Sequence, residues 1–446
     1  MGKYPAHPAT ASAEFSDQEA RRDVKPAPGI LLTEAETDML GGRHGESTAL
    51  AMRIVMAAAR TQQADSLLEI RSAHVDSCLY HGPSSLDFVR ALLRGGAQVQ
   101  VPTTLNVGGL DLTRTELFRG SQALQGAAKE LMESYVALGC APTFTCAPYQ
   151  LPGRPRLGED VAWAESNAIV FGNSMIGLRT NRYGDLIDIS AAITGRVPRT
   201  GLHLTENRRA RVLFTVEEDV LHGIDGDLLP ALLGHHVGRR AGSLIPAIAG
   251  IPSANLSEDW AKQFGAASAS SGSVAMFHLV GFTPEAPDHH TAFQGHEPDR
   301  EEFISIGDLH QAHRELTTSS LDTPLGGVSI GTPHLSRAQL VAMADQLAGS
   351  RVRVPTYATT SRSVIAAEPD ATRRLEESGV TIVRDTCTYG QSVIMQPDGA
   401  VMTNSAKWAY YAPAHLGFHV VLASVNDCLQ SAICGQITVT DAHHTS

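Results

Sequence analysis

Short apolar runs alternate with helix-length amphipathic stretches along this chain, and that order limits its fold more than any other feature. Ser66-Leu67-Leu68-Glu69-Ile70 reads as a short buried strand, Leu86 to Leu93 as a helix, and Gln98-Val99-Gln100-Val101-Pro102 as the next strand. Strand, helix, strand implies a parallel sheet with right-handed crossovers. Both strands run into polar segments read as loops, Ser72-Ala73-His74-Val75-Asp76 and Thr103-Thr104-Leu105-Asn106. Loops at the ends of such strands are where these sheets hold ligands.

The alternation recurs downstream. Ala168 to Phe171, Val212 to Thr215, Val274 to Val280 and Val328 to Gly331 read as strands, and helices are expected at Leu228 to Gly238, Ser336 to Ala348 and Asp370 to Ser378. Strands near Thr381 to Arg384, Val401 to Thr403 and His419 to Leu422 follow, then a helix from Asp427 to Ile433 stopped by Gly435. Near the start, Thr33 with Glu34, Glu36 and Asp38 has the form of a capped helix start, and a second helix is expected from Glu46 to Arg60. The segment Pro284 to Pro298 reads as a long polar loop. The fold class is therefore α/β, with mainly parallel sheets flanked by helices. A chain of 446 residues usually divides into subdomains. Boundaries are placed near residues 200 and 345, after a solvated tail over residues 1–30.

Composition narrows the function. The net charge of -12 and pI of about 5.9 argue against general nucleic-acid binding, which needs a basic stripe. No segment reads as a membrane span or a secretory signal, so a cytoplasmic protein is expected. Six cysteines without a CxxC pair are too sparse for a disulfide framework or a zinc ribbon. Any metal centre would draw its ligands from distant points in the sequence.

Two cysteine-bearing stretches stand out. Thr145-Cys146-Ala147-Pro148-Tyr149 is followed by Trp163-Ala164-Glu165-Ser166-Asn167, and Asp385-Thr386-Cys387 by Thr403-Asn404-Ser405-Ala406-Lys407. Thiolates are soft ligands that suit iron–sulfur centres, and a nearby lysine suits chemistry on an anion. Each residue also has a plainer reading. Cys146 could be a small buried hydrophobe, Lys407 a surface lysine over Trp408, Glu165-Ser166-Asn167 a helix cap, Asn106 a turn former, and His74 with Asp76 a structural pair. Arg179 lies in a basic loop that could hold an anion or line the surface. Cys428 and Cys434 fit core packing better than ligation, and Cys78 and Cys140 are reserve candidates.

Taken together, these motifs resemble the aconitase X family, specifically its large catalytic domain. The similar segments include Ser72 to Asp76, Val101 to Val107, Thr145 to Tyr149, Trp163 to Ala168, Gly177 to Asn181, Gly201 to Leu204, Phe277 to Ala286, Asp385 to Cys387 and Thr403 to Lys407. They fall in order from about residue 31 to 435, within a large catalytic domain assigned to residues 31–446. The resemblance implies an aconitase-like multi-subdomain fold and a hydro-lyase with an iron–sulfur cluster, the 2Fe–2S type ahead of 3Fe–4S or 4Fe–4S. It implies a small hydroxy acid as substrate, cis-3-hydroxy-L-proline ahead of mevalonate 5-phosphate. By the family pattern Cys146 and Cys387 match cluster ligands. Glu165, Ser166, Lys407 and His74 match catalytic positions, and Ala73, Val75, Asn106, Asn167, Arg179 and Ser405 match substrate-binding ones. Glu165 and His74 are both expected to titrate near neutrality if partly buried, which would suit either as the base.

Two departures accompany the resemblance. Gly331-Thr332-Pro333-His334 carries Thr332 where the family commonly has a cysteine, and a hydroxyl is a poor substitute for a thiolate on iron. The smaller domain that completes the family's active site has no candidate in these residues, so a separate small subunit is expected as partner. A non-catalytic subunit that binds a small acid is the rival reading, with Thr332 as its motivation.

Overall fold

The computed structural model describes residues 29–440 except 391–392 and 395–396. The expected N-terminal tail lies, up to residue 28, outside the described residues. Three parallel sheets organise the rest. The first has three strands in the order Thr103–Leu105, Ala73–Val75, Ala162–Trp163. The second has four, in the order His278–Leu279, Pro246–Ala249, Val212–Val216, Arg300–Ile304. The third has five, in the order Val380–Val383, Thr356–Thr360, Leu325–Leu335, Ala400–Thr403, Val420–Leu422. The fold is thus α/β with mainly parallel sheets flanked by helices.

The first sheet departs from the sequence reading. The apolar run at Leu67–Glu69 does form a strand, but it pairs antiparallel with Arg196–Pro198 outside the parallel sheets. The segments expected as polar loops are the true strands: Ala73–Val75 is fully buried and hydrogen-bonded on both sides. His74 and Thr104 give these segments the look of loops. Their polarity is absorbed by a mutual bond, His74 Nδ1 to Thr104 Oγ1 at 2.8 Å. Residues 98–102 carry no strand.

The apolar run Ala168–Phe171 is a second correction. It is helical, within Ser166–Phe171, and a π-helical turn Gly172–Ile176 continues it. Every residue from Asn167 to Phe171 is buried, so no solvent-facing side marks the helical period. Val274 to Val280 contributes only the two-residue strand His278–Leu279. A short helix, His289–Ala292, interrupts the expected long loop.

Helix ends follow local chemistry. Thr33 and Glu36 form a reciprocal capping box, as do Ser336 and Gln339. Gly435 ends the last helix, Val425–Cys434, in the left-handed conformation. The largest apolar cluster joins Phe214, Phe264 and Phe277 of the second sheet's layer to Trp408, Val420 and Leu422 of the third. Burying each such side chain contributes about 1.5–3 kcal/mol. That shared core holds the third sheet's strand ends against the helices that face the first.

Candidate active site

The carboxyl ends of strands from the first and third sheets point at one another. From the first come Asp76, Asn106 and, after Trp163, Glu165; from the third come His334, Cys387 and, after Thr403, Lys407. This is the end at which parallel sheets carry their sites.

Backbone chemistry fixes each residue. Asp188 accepts from the Asp76 and Ser77 amides at 2.7 and 3.0 Å, pinning the turn after the strand. The Asn106 amide continues the strand pairing to the Val75 carbonyl at 2.9 Å. Glu165 is the N-cap of the helix Ser166–Phe171 and accepts from the Ala168 amide at 2.8 Å. Lys407 lies in the first turn of Ala406–Leu416, which Ser405 caps. Cys387 follows Asp385, a residue at φ 65° held by a two-pronged bond from Arg362 at 2.6 and 2.5 Å. His334 follows Gly331, whose φ of 101° and close approach to the Thr359 backbone exclude any side chain.

Two clusters result. The first joins Cys146, His334 and Cys387, all buried, whose ligand atoms lie within 4.8 Å of one another. Cys146 Sγ also accepts from the His334 amide at 3.3 Å. The second is the buried ion pair of Lys407 with Glu165, with Ser166 Oγ at 3.4 Å from Nζ. Lys407 and Glu165 are 4% and 7% exposed, which overturns the surface reading of the lysine. The ion pair lines an open cavity of about 570 Å³ together with Asp76, Asn106, Ser166 and Tyr389.

Protonation differs sharply across the site. Burial pushes the Glu165 carboxyl up, but the Lys407 charge and the hydrogen bonds it accepts outweigh this and hold it below its ordinary range. Burial works against the Lys407 ammonium, yet Glu165 and its neighbours hold its pKa well above the usual value. Asp76 is raised to about 7 by burial and the nearby Glu165 charge, against the Asn106 bond. Burial lowers His74 and His334 each to about 4, so both rings are neutral at physiological pH. The expectation that Glu165 and His74 titrate near neutrality is therefore corrected; of the carboxyls lining the cavity, Asp76 is the one raised toward neutrality.

Among the described residues, two buried polar atoms here have no hydrogen-bond partner: Thr332 Oγ1 and Asn404 Oδ1. Buried polar atoms are normally satisfied, so these mark places for ligand or water. A metal centre fits the Cys146, His334 and Cys387 group in donor chemistry: two sulfurs and a neutral imidazole suit iron. The proximity of the two sulfurs also shows in the Cys387 thiol, pushed well above its usual value by its bond to Cys146 and by burial.

Other expected residues fall elsewhere. Arg179 donates to the His203 carbonyl at 2.6 Å and to Thr205 Oγ1 at 2.8 Å and does not line the cavity, so its expected substrate role is corrected. Arg182, three residues on, does line it. Asn167 is turned inward, to the Cys146 carbonyl at 2.9 Å and Tyr149. Ala73 and Val75 are buried strand positions, and Ser405 is committed to its cap. Asp76 and His334 both lie in segments singled out from the sequence, yet sequence reasoning gives neither a role at the site. A polar residue directly after a buried strand is the signal that would find Asp76.

The arrangement belongs to the class of aconitase-type hydro-lyases. Family models for the aconitase X first, second and third domains match residues 29–206, 210–314 and 326–434. The chain belongs to the aconitase X family. It is 42% identical to the cis-3-hydroxy-L-proline dehydratase of Pseudomonas aeruginosa, over 92% of this chain and 71% of that protein. It is 33% identical to the phosphomevalonate dehydratase large subunit of Methanosarcina mazei, over 91% and 98%. The crystal structure of Thermococcus kodakaraensis aconitase X in its holo-form superposes with a TM-score of 0.81 at 31% identity, covering 90% of this chain and all of that one.

Proposed function

We propose that this chain dehydrates cis-3-hydroxy-L-proline to pyrroline-2-carboxylate, and that a companion small subunit completes its site. The observation that carries the reading is the Lys407–Glu165 pair, buried beside the cysteine pair and opening onto a cavity with charges of both signs. Asp76 and Asp185 supply negative charge there, Arg182 and Lys407 positive. That balance suits a zwitterionic amino acid, with the ring ammonium toward the carboxyls and the carboxylate toward the cations. The 42% identity to a hydroxyproline dehydratase supports the same substrate.

Dehydration removes the proton α to the carboxylate and hydroxide from the neighbouring carbon, together one water. Lys407 faces the negative charge that builds on the carboxylate as the α-proton leaves. Glu165 and Ser166 hold the ammonium in place. Asp76, with its pKa of about 7, is suited to take up that proton. Cys146, Cys387 and His334 would hold an iron–sulfur centre, which when bound supplies Lewis acidity for hydroxide departure. Thr332 adds no thiolate, so a 2Fe–2S cluster is favoured.

The mevalonate 5-phosphate reading is supported by the 33% identity to a phosphomevalonate dehydratase large subunit. That relative is a large subunit, which supports a companion subunit here. Anaerobic protein, with and without an aconitase X small subunit, should be offered both compounds. Turnover of cis-3-hydroxy-L-proline only with the small subunit is expected; turnover of mevalonate 5-phosphate alone would overturn the substrate assignment.

A further inference from the structure

Behind the sulfur pair, away from the cavity just described, lies a second buried lysine. Lys262 is wholly inaccessible in the middle of the apolar helix Glu258–Ser271. Its ammonium donates to the His334 carbonyl at 3.1 Å and to Gln339, and pairs with Asp259 at 2.9 Å. Asp259 in turn accepts from Ser336 Oγ at 2.6 Å and is itself partly exposed on a cleft of about 640 Å³. His334 is thus held from both ends. Its amide donates to Cys146 Sγ, and its carbonyl accepts from Lys262.

A lone structural tie would not need a charge here. A buried ammonium is costly unless the surroundings use it. Through His334 it is linked to Cys146 Sγ, and two ligand thiolates packed together are a concentration of negative charge. Lys407 lines the cavity, and Lys262 reaches the cysteine pair through His334. We infer that Lys262 is a positioning residue for the metal centre: it clamps the end of the strand Leu325–Leu335 through the His334 carbonyl and offsets the charge of the bound thiolates. The inference rests on the reading of Cys146, His334 and Cys387 as metal ligands.

The test uses cobalt(II) as probe on the metal-free, reduced full chain under anaerobic conditions, followed by the thiolate-to-cobalt absorption. Outer-shell partners typically change metal affinity by about 10- to 100-fold. Lys262→Met should weaken cobalt binding by about that factor. Lys262→Arg should restore it to within a few-fold, and thermal unfolding of the metal-free variants reports fold separately. Lys262→Gln keeps a donor without the charge and should weaken binding less; it also serves if the methionine variant does not fold. Unchanged affinity in both neutral variants would overturn the inference while leaving the metal reading intact. No thiolate–cobalt band in the unaltered protein would overturn the metal reading, and the inference with it.

Discussion

The two faces of the cysteine pair are built alike and finished differently. Each has a buried lysine paired with a carboxylate: Lys407 with Glu165 in front, Lys262 with Asp259 behind. Behind, the ammonium is shared among three protein acceptors and reaches no substrate cavity. In front, the pair opens onto the 570 Å³ cavity, and the buried Asn404 Oδ1, three residues from Lys407, has no hydrogen-bond partner among the described residues. A satisfied network holds shape, and an unsatisfied one awaits a ligand. The contrast separates the residues that should act on substrate from those that should only hold the centre.

The largest effect should come from the point where the faces meet. Cys387→Ser or Cys146→Ser should abolish both iron content and dehydratase turnover, measured by metal analysis and product formation. Retention of the full iron complement in either variant would detach the sulfurs from the centre.

The front pair also carries stability. Lys407→Ala leaves Glu165 charged and buried, which typically costs about 3 to 5 kcal/mol. Denaturant unfolding should show a loss of that order, in contrast to the near-neutral effect that its sequence context suggests. A double variant with Glu165→Gln should recover part of it, because the stranded charge is gone.

Asp76 sharpens the front face further. Its folded-state pKa is raised from an ordinary 3.8 to about 7, so the proton-accepting form is lost as pH falls below about 7. Turnover should drop about tenfold per pH unit there, and Asp76→Asn should remove that limb along with most activity. Stability runs the other way. The fold favours the protonated carboxyl, so this contribution is full below pH 3.8 and is lost as pH rises through about 7.

The smallest effect is expected at Arg179. With its guanidinium committed to His203 and Thr205, Arg179→Gln should change the KM for cis-3-hydroxy-L-proline by no more than a few-fold. A loss of orders of magnitude would return the residue to the substrate site.

Much of the later fold is legible in sequence because helices there are amphipathic and strands apolar. Arg337–Leu347 and Pro369–Glu377 both lie where their periodicity puts them. The first sheet is not legible, since Ala73–Val75 and Thr103–Leu105 are three-residue strands whose polar members bond to each other. The helix after Glu165 reads as a strand because burial on every side erases its period. At the site, motif order singles out the segments of Cys146, Cys387, Glu165 and Lys407, which the fold brings together as a Cys146–Cys387 group and a Lys407–Glu165 pair. The partnership of Lys407 with Glu165 spans 242 residues and has no local signal. Lys262 is invisible for the same reason: the strand end it clamps, at His334, lies 72 residues away.

Lys407 is where the central claim is most exposed. The unaltered protein and Lys407→Met, matched for iron content and for folding, should be compared in the rate of pyrroline-2-carboxylate formation from cis-3-hydroxy-L-proline, with the small subunit present. A fall of about a thousandfold or more is expected, since the charge facing the developing carbanion is removed while the metal ligands remain. Equal rates in the two proteins would contradict it and leave the lysine a structural counter-ion to Glu165.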